Sequence, residues 1–205
     1  MTFRLNGHGL PRYIREGDKV ERIYRVLLSR RGAGQTWYRI AKAADVSYGW
    51  AHHILQNLER DGLIDGSRVI EPRSLFLKWA RRRDRRLFRE YNIQEPDELI
   101  SESKLDHAFT GYFAENHLGR YLFPRLREFY VKADDRMKWH QLLTRHGYVG
   151  RGNTLVLLAD DHVFFERQNV DGYPLVSTQQ LIADLYRTGA ECAEAADILV
   201  SKVYP

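Results

Sequence analysis

From Thr36 to Ile70 the chain reads TWYRIAKAADVSYGWAHHILQNLERDGLIDGSRVI, and this stretch constrains the fold more than any other. Trp37, Ile40, Ala41 and Ala44 recur at helical spacing, and Thr36 stands before them as an N-cap, able to accept from a free N–H of the first turn. Asp45-Val46-Ser47 interrupts the pattern. Ser47 then caps a second helix, whose apolar face carries Ala51, Ile54, Leu55 and Leu58. Asp61-Gly62 ends that helix, because glycine tolerates the left-handed conformation just past a helix terminus. Leu63-Ile64, the turn signal Asp65-Gly66 and Arg68-Val69-Ile70 spell a tight hairpin. Upstream, KVERIYRVLLSRR spaces Val20, Ile23, Tyr24, Leu27 and Leu28 as a preceding helix. Three helices and a two-stranded wing form the order of a winged helix-turn-helix, the alternative being a helical hairpin in an unrelated core.

The outward side of the second helix, Tyr48, Gly49, Trp50, His53, Gln56 and Asn57, is polar and aromatic but not acidic. Such a helix can enter a major groove, where short polar side chains reach base edges and the helix N-terminus favours phosphate. The expected base-reading set is Ser47, Tyr48, Trp50, His53 and Gln56. Charge supports the same placement: residues 1–91 hold 20 Lys+Arg against 10 Asp+Glu, residues 92–205 hold 12 against 17. A cation excess confined to one half favours a polyanion through counterion release. Arg39, Lys42, Arg68, Arg81, Arg82 and Arg85 are the expected phosphate contacts, the last three within a cluster running to Arg89. Double-stranded DNA is therefore the expected partner.

The expected organisation is α+β. Residues 1–17 read as a flexible basic arm, 18–91 as the winged helix with a basic linker helix (SLFLKWARRRDRRLFREYN, apolar stripe Leu75, Phe76, Trp79, Ala80), and 92–205 as a mixed α/β domain. In that last part residues 95–100 start a short helix, 105–119 form an amphipathic helix, and 127–131 a strand. Met137 to His146 reads as a helix, Thr154 to Leu158 as a buried strand, Val163-Phe164-Phe165 and Leu175-Val176 as further strands. Ser177 caps a helix over TQQLIADLYRTG, and Ala190 to Val203 closes the chain as another.

Chemistry is sparse. No run of eighteen apolar residues and no hydrophobic leader core occurs, so no membrane partner and a cytoplasmic location are expected. Cys192 stands alone, which excludes an intramolecular disulfide and a cysteine-rich zinc site. The glycine-rich loop at 30–34 lacks the Gly-Lys-Ser/Thr of a nucleotide-binding loop. His52 and His53, being adjacent, point to different sides of a helix, and no histidine pair has zinc-motif spacing. Asp160-Asp161 and Glu166 near a strand end can be read as Mg²⁺ ligands for phosphodiester hydrolysis. Arg167 and Gln168 stand where a restriction-type nuclease would carry lysine. Catalytic residues, metal and cofactor are therefore all expected to be none, with a metal-dependent nuclease targeted by the winged helix as the alternative.

Three stretches carry a family resemblance: the winged helix, the join Val69-Ile70-Glu71-Pro72 through Leu75 to Trp79-Ala80, and a set of C-terminal patterns. The last comprises Phe109-Thr110-Gly111-Tyr112-Phe113-Ala114, the Thr154–Leu158 strand, Pro174 through Leu185, and Ala195-Ala196. Over most of its length the chain resembles the AbiEi-type antitoxins and their winged-helix relatives. That resemblance implies a bipartite transcriptional regulator, in which the winged helix binds operator DNA as an autorepressor. It also implies a C-terminal domain that neutralises a nucleotidyltransferase-type toxin in a toxin–antitoxin pair, or a relative that keeps only the regulatory part. A homodimer is a further candidate assembly. Trp50 and His52-His53 depart from the family at the recognition positions, so no operator sequence carries over.

Overall fold

The computed structural model describes residues 16–29, 32, 34–82 and 86–205. The arm expected over residues 1–17 lies outside them but for its last two residues, and so does Arg85. Helix α1 (Glu16–Leu28) turns Val20, Ile23, Tyr24, Leu27 and Leu28 inward. Helices α2 (Trp37–Ala43) and α3 (Tyr48–Arg60) follow. Both expected N-caps are present: the Thr36 hydroxyl accepts from the Arg39 N–H at 3.3 Å and the Ser47 hydroxyl from the Trp50 N–H at 3.4 Å. Strands β1 (Ile64–Asp65) and β2 (Arg68–Val69) pair antiparallel, Ile64 opposite Val69. Helix α4 (Pro72–Ala80) opens on proline, whose missing N–H costs nothing in a first turn.

The basic linker helix expected to continue to residue 91 stops at Ala80, and from Arg86 the chain is strand β3 (Arg86–Ile93). Arginine favours helices only weakly, by tenths of a kcal/mol, and sheet pairing on both sides of β3 outweighs it. After α5 (Pro96–Glu102) the amphipathic helix expected over 105–119 divides into strand β4 (His107–Thr110) and helix α6 (Gly111–Leu118). The break is at Gly111, whose φ of +60° belongs to neither element. Strand β5 (Arg127–Val131), helix α7 (Arg136–Arg145), and strands β6 (Gly147–Val149) and β7 (Thr154–Leu158) follow. Val163-Phe164-Phe165, expected as a strand, instead ends a single 3₁₀ turn (Asp161–Phe164) and its cap, because the Asp160 carboxylate accepts the His162 N–H at 2.8 Å and starts a turn there. Strands β8 (Gln168–Val170) and β9 (Tyr173–Leu175) lead into α8 (Thr178–Thr188), capped by Ser177, and then α9 (Glu191–Val203).

Seven strands form one mixed sheet in the order β6-β3-β7-β5-β4-β9-β8. β5 runs parallel to β7 and β4 parallel to β9, while the other neighbours are antiparallel. Alternation along the central strands divides their side chains between two layers. His107, Phe109 and Phe129 meet across one face and reach Trp139 of α7, with ring centroids 4.8 to 5.9 Å apart. Thr110 and Tyr130 point the other way, onto Asp184 of α8.

The helical half and the sheet share a core. α4 packs on α8 and α9, and α1 packs on α8. Trp79 is fully buried at this junction with Tyr24 and Phe76 at its ring, and the Arg25 and Arg187 guanidinium groups lie over its indole at 5.5 and 5.9 Å. Each large apolar side chain withdrawn from water in this way stabilises by about 1.5–3 kcal/mol. Polar bonds add direction. Arg25 donates to Gln180 Oε1 at 2.9 and 2.7 Å, and Gln180 donates on to Asp184 at 3.0 Å. Asp184, with no exposed surface, also accepts from Thr110 at 2.7 Å, Tyr130 at 3.1 Å and Arg187 at 2.8 Å. No helix among the described residues is long and apolar enough to cross a membrane.

Candidate nucleic-acid interface

The face of interest is built by α2, α3 and the β1–β2 hairpin. Ile40, Ala41, Ala44, Ala51, Leu55 and Leu58 are buried, which locks the two helices together and leaves their opposite sides outward. On α3 this exposes Tyr48, His53 and Gln56, with Ser47 at the cap. Four of the five expected base-reading residues therefore share one accessible surface. Trp50 does not fully join them. It is half-buried against the core, and its indole N–H is shut off from solvent with no partner among the described residues. The position of Trp50 in the first turn fits either side of the helix in sequence, and the pull of the apolar core decides it.

One aromatic residue at this face, Tyr38, escaped the sequence reading. Tyr38 on α2 is 64% exposed and its ring lies 6.2 Å from that of Tyr48, itself 49% exposed. His52 continues the row, 5.8 Å from Tyr48 and 5.1 Å from Trp37. An exposed tyrosine beside an inward Trp37 was legible only as helical spacing; that it would meet Tyr48 depends on how α2 crosses α3.

The hairpin tip is held on two sides. The Trp37 indole N–H donates to the Gly66 carbonyl at 2.9 Å, and the Gly66 N–H donates to Glu59 at 2.9 Å. Gly66 has a φ of +60°, which suits glycine in a hairpin turn. Below the tip, Leu63 accepts from the Ile70 N–H at 2.9 Å, so the strands cannot splay.

Of the expected phosphate contacts, Arg39, Lys42 and Arg68 are exposed around this face. Arg81 and Arg82 are exposed just beyond the end of α4. Arg86 and Arg89, at the far end of the expected cluster, serve elsewhere because β3 carries them into the sheet. Arg86 binds Asp18 at 2.8 Å, and Arg89 lies against the His140 ring at 3.1 Å. The face is not uniformly cationic. Asp61 is neutralised by Lys78 at 2.8 Å, and Asp65 lies 3.4 Å from Arg68 in a pair so exposed that it adds little stability and leaves Arg68 free to exchange partners.

Of the carboxylates weighed as metal ligands, Asp160 is engaged in holding the chain rather than open to a cation. Asp160 caps the 3₁₀ turn and pairs with Arg22 at 3.1 Å. No group of three or more histidine, cysteine, aspartate or glutamate side chains among the described residues is arranged to hold a metal ion. The chain's class is thus a mixed α/β protein with a helical, hairpin-bearing N-terminal half. Comparison with protein-family models, with curated proteins and with solved structures found no match.

Proposed function

We propose that the chain is a sequence-specific regulator that binds double-stranded DNA through α2, α3 and the β1–β2 wing, acting as a repressor. The observation that carries this reading is the accessible, non-acidic outward side of α3 and its cap, from Ser47 to Gln56. Ser47, Tyr48, His53 and Gln56 stand on it together, beside a wing whose tip is tied to Trp37 and Glu59. Base edges would be read from those four residues and phosphates held by Arg39, Lys42, Arg68, Arg81 and Arg82. The resemblance to AbiEi-type antitoxins supports autorepression, and gives the sheet-bearing half the role of meeting a nucleotidyltransferase-type toxin. The nuclease alternative loses support from the engagement of Asp160 with Arg22.

Selection of bound sequences from a random duplex pool tests the reading, and the symmetry of the selected motif reports whether one or two copies bind. Tyr48→Ala with His53→Ala relaxes sequence preference. Arg39→Ala with Lys42→Ala weakens all duplexes alike and lowers the salt dependence by about 0.9 in log–log slope for each phosphate no longer neutralised. Equal loss on every sequence from both variants contradicts the division of roles, and failure of the intact chain to enrich any duplex contradicts the reading itself.

A further inference from the structure

The α2–α3 turn sets where α3 points, and it is held from the other half of the chain. Its first fixed point is the Ala43 carbonyl at the end of α2, one of the carbonyls a helix leaves without an internal partner. His162 Nε2 lies 3.0 Å from it as donor, while His162 Nδ1 accepts from Arg25 at 2.8 Å. These two partners together define the neutral ring with its proton on Nε2. Arg25 is held in turn by Gln180 of α8.

The second fixed point is Asp45, the residue of the turn with a φ of 52°. Arg22, only 6% exposed, donates to the Asp45 carboxylate at 2.8 Å and to Asp160 at 3.1 Å. Asp160 and His162 are bonded to each other through the His162 N–H. One three-residue stretch, 160–162, therefore reaches both points of the turn through directional polar bonds. An apolar contact would let the turn slide by an ångström at little cost. Bonds to a guanidinium and an imidazole that are largely out of water do not, because a broken one leaves a desolvated polar group behind.

We propose that the 160–162 stretch is a latch on the α2–α3 turn, through which the sheet-bearing half sets the affinity of the α3 face for duplex DNA. The control of DNA affinity rests on the function proposed above; the latching of the turn does not. A ligand or partner that moves the 3₁₀ turn would act on DNA binding by this route, since coupling between two sites requires an element that both can bias.

Two variants test it in the full-length chain. Asp160→Asn keeps an oxygen to cap His162 but loses the charge that holds Arg22. Asp45→Asn takes the charge from the other arm at an exposed carboxylate and leaves the core untouched. Hydrogen exchange is read at the amides of Ala44, Asp45 and Val46, which bond back to Ile40, Lys42 and Ala41, and affinity is measured on the selected duplex. The expected result is exchange at these amides at least ~5-fold faster in both variants, unchanged exchange in β5 and β7, and affinity lower by at least ~5-fold with sequence preference kept. Unchanged exchange overturns the latch. Faster exchange with unchanged duplex affinity overturns the control. If the intact chain binds no duplex, the proposed function falls and the control with it, while the exchange data still decide whether the turn is latched.

Discussion

Asp184→Asn probes the junction of the two halves with almost no change of shape. The buried carboxylate accepts from Thr110, Tyr130, Gln180 and Arg187. Asparagine keeps one oxygen for Tyr130, Gln180 and Arg187, all of which meet the same carboxylate oxygen, and turns its NH₂ to Thr110, whose hydroxyl rotates to accept. The hydrogen bonds thus largely survive and the charge does not. Arg187, with a side chain 6% exposed, is left with Glu21 at 3.2 Å as its remaining anion. Removing one partner of a buried ion pair costs about 3–5 kcal/mol, and the retained Glu21 and asparagine oxygen place this case near the lower end, about 3 kcal/mol. With an m-value of about 2.5 kcal/mol/M in urea, the unfolding midpoint falls by about 1.2 M. Tryptophan fluorescence and circular dichroism, followed together, measure it, and Trp79 beside Arg187 serves as the local reporter. A second substitution, Arg187→Met, made in the Asp184→Asn background costs less than in the intact chain, by a coupling of about 1–3 kcal/mol. An Asp184→Asn variant within about 0.5 kcal/mol of the parent, or a coupling near zero, refutes the view that the charge is what the site needs.

Three further outcomes are expected. Gly111→Ala places a Cβ 1.7 Å from the buried Glu128 carboxylate at a φ of +60°, so left-handed strain and displacement of the carboxylate together cost about 3 kcal/mol and lower Tm by about 6–12 °C in a calorimetric scan. The same change at Gly66, also at +60° but facing open space, is much milder. For pH, burial and then the Arg25 charge push the His162 pKa down to about 4 from 6.5, and burial lowers that of His107 as well. Protons therefore favour the unfolded chain: the contribution is fully present above pH 6.5 and is lost as pH falls towards 4, by about 2 kcal/mol from His162 after allowance for its partial exposure. A His162→Gln variant, whose amide can donate to Ala43 and accept from Arg25, flattens that profile in urea titrations between pH 7 and 4, and an unaltered slope counts against the assignment. Trp37→Phe removes the bond to Gly66, costs about 1 kcal/mol, and reduces duplex affinity without changing sequence preference, as a binding curve on matched and mismatched duplexes would show.

Local signals carried the N-terminal half well. Thr36 and Ser47 cap as read, Ala51, Leu55 and Leu58 are buried as spaced, and the hairpin turns one residue beyond the Asp65-Gly66 signal, at Gly66-Ser67, with Asp65 closing β1 opposite Arg68. Each of these depends on neighbours within a few residues, so periodicity and turn chemistry suffice. The failures share a different cause. Arg86 to Ile93 has helix-tolerant composition but pairs with β6 and β7, which lie over fifty residues away; His107 to Thr110 was absorbed into a helical pattern because its partners β5 and β9 also lie outside any local window, about twenty and over sixty residues on. The inward turn of Trp50 and the meeting of Tyr38 with Tyr48 follow from helix crossing, which no single helix encodes.

The sequence by itself therefore determined the capped helices, the β1–β2 hairpin, and, Trp50 apart, the side of α3 that faces outward, because those are set by bonds and periods within one or two turns of chain. Tertiary structure alone decided that Arg86 and Arg89 serve the sheet, that Asp160 holds an arginine, and that His162 reaches across to Ala43. A buried charge takes whichever partner the fold brings within about 3 Å, and spacing along the chain says nothing of which that will be.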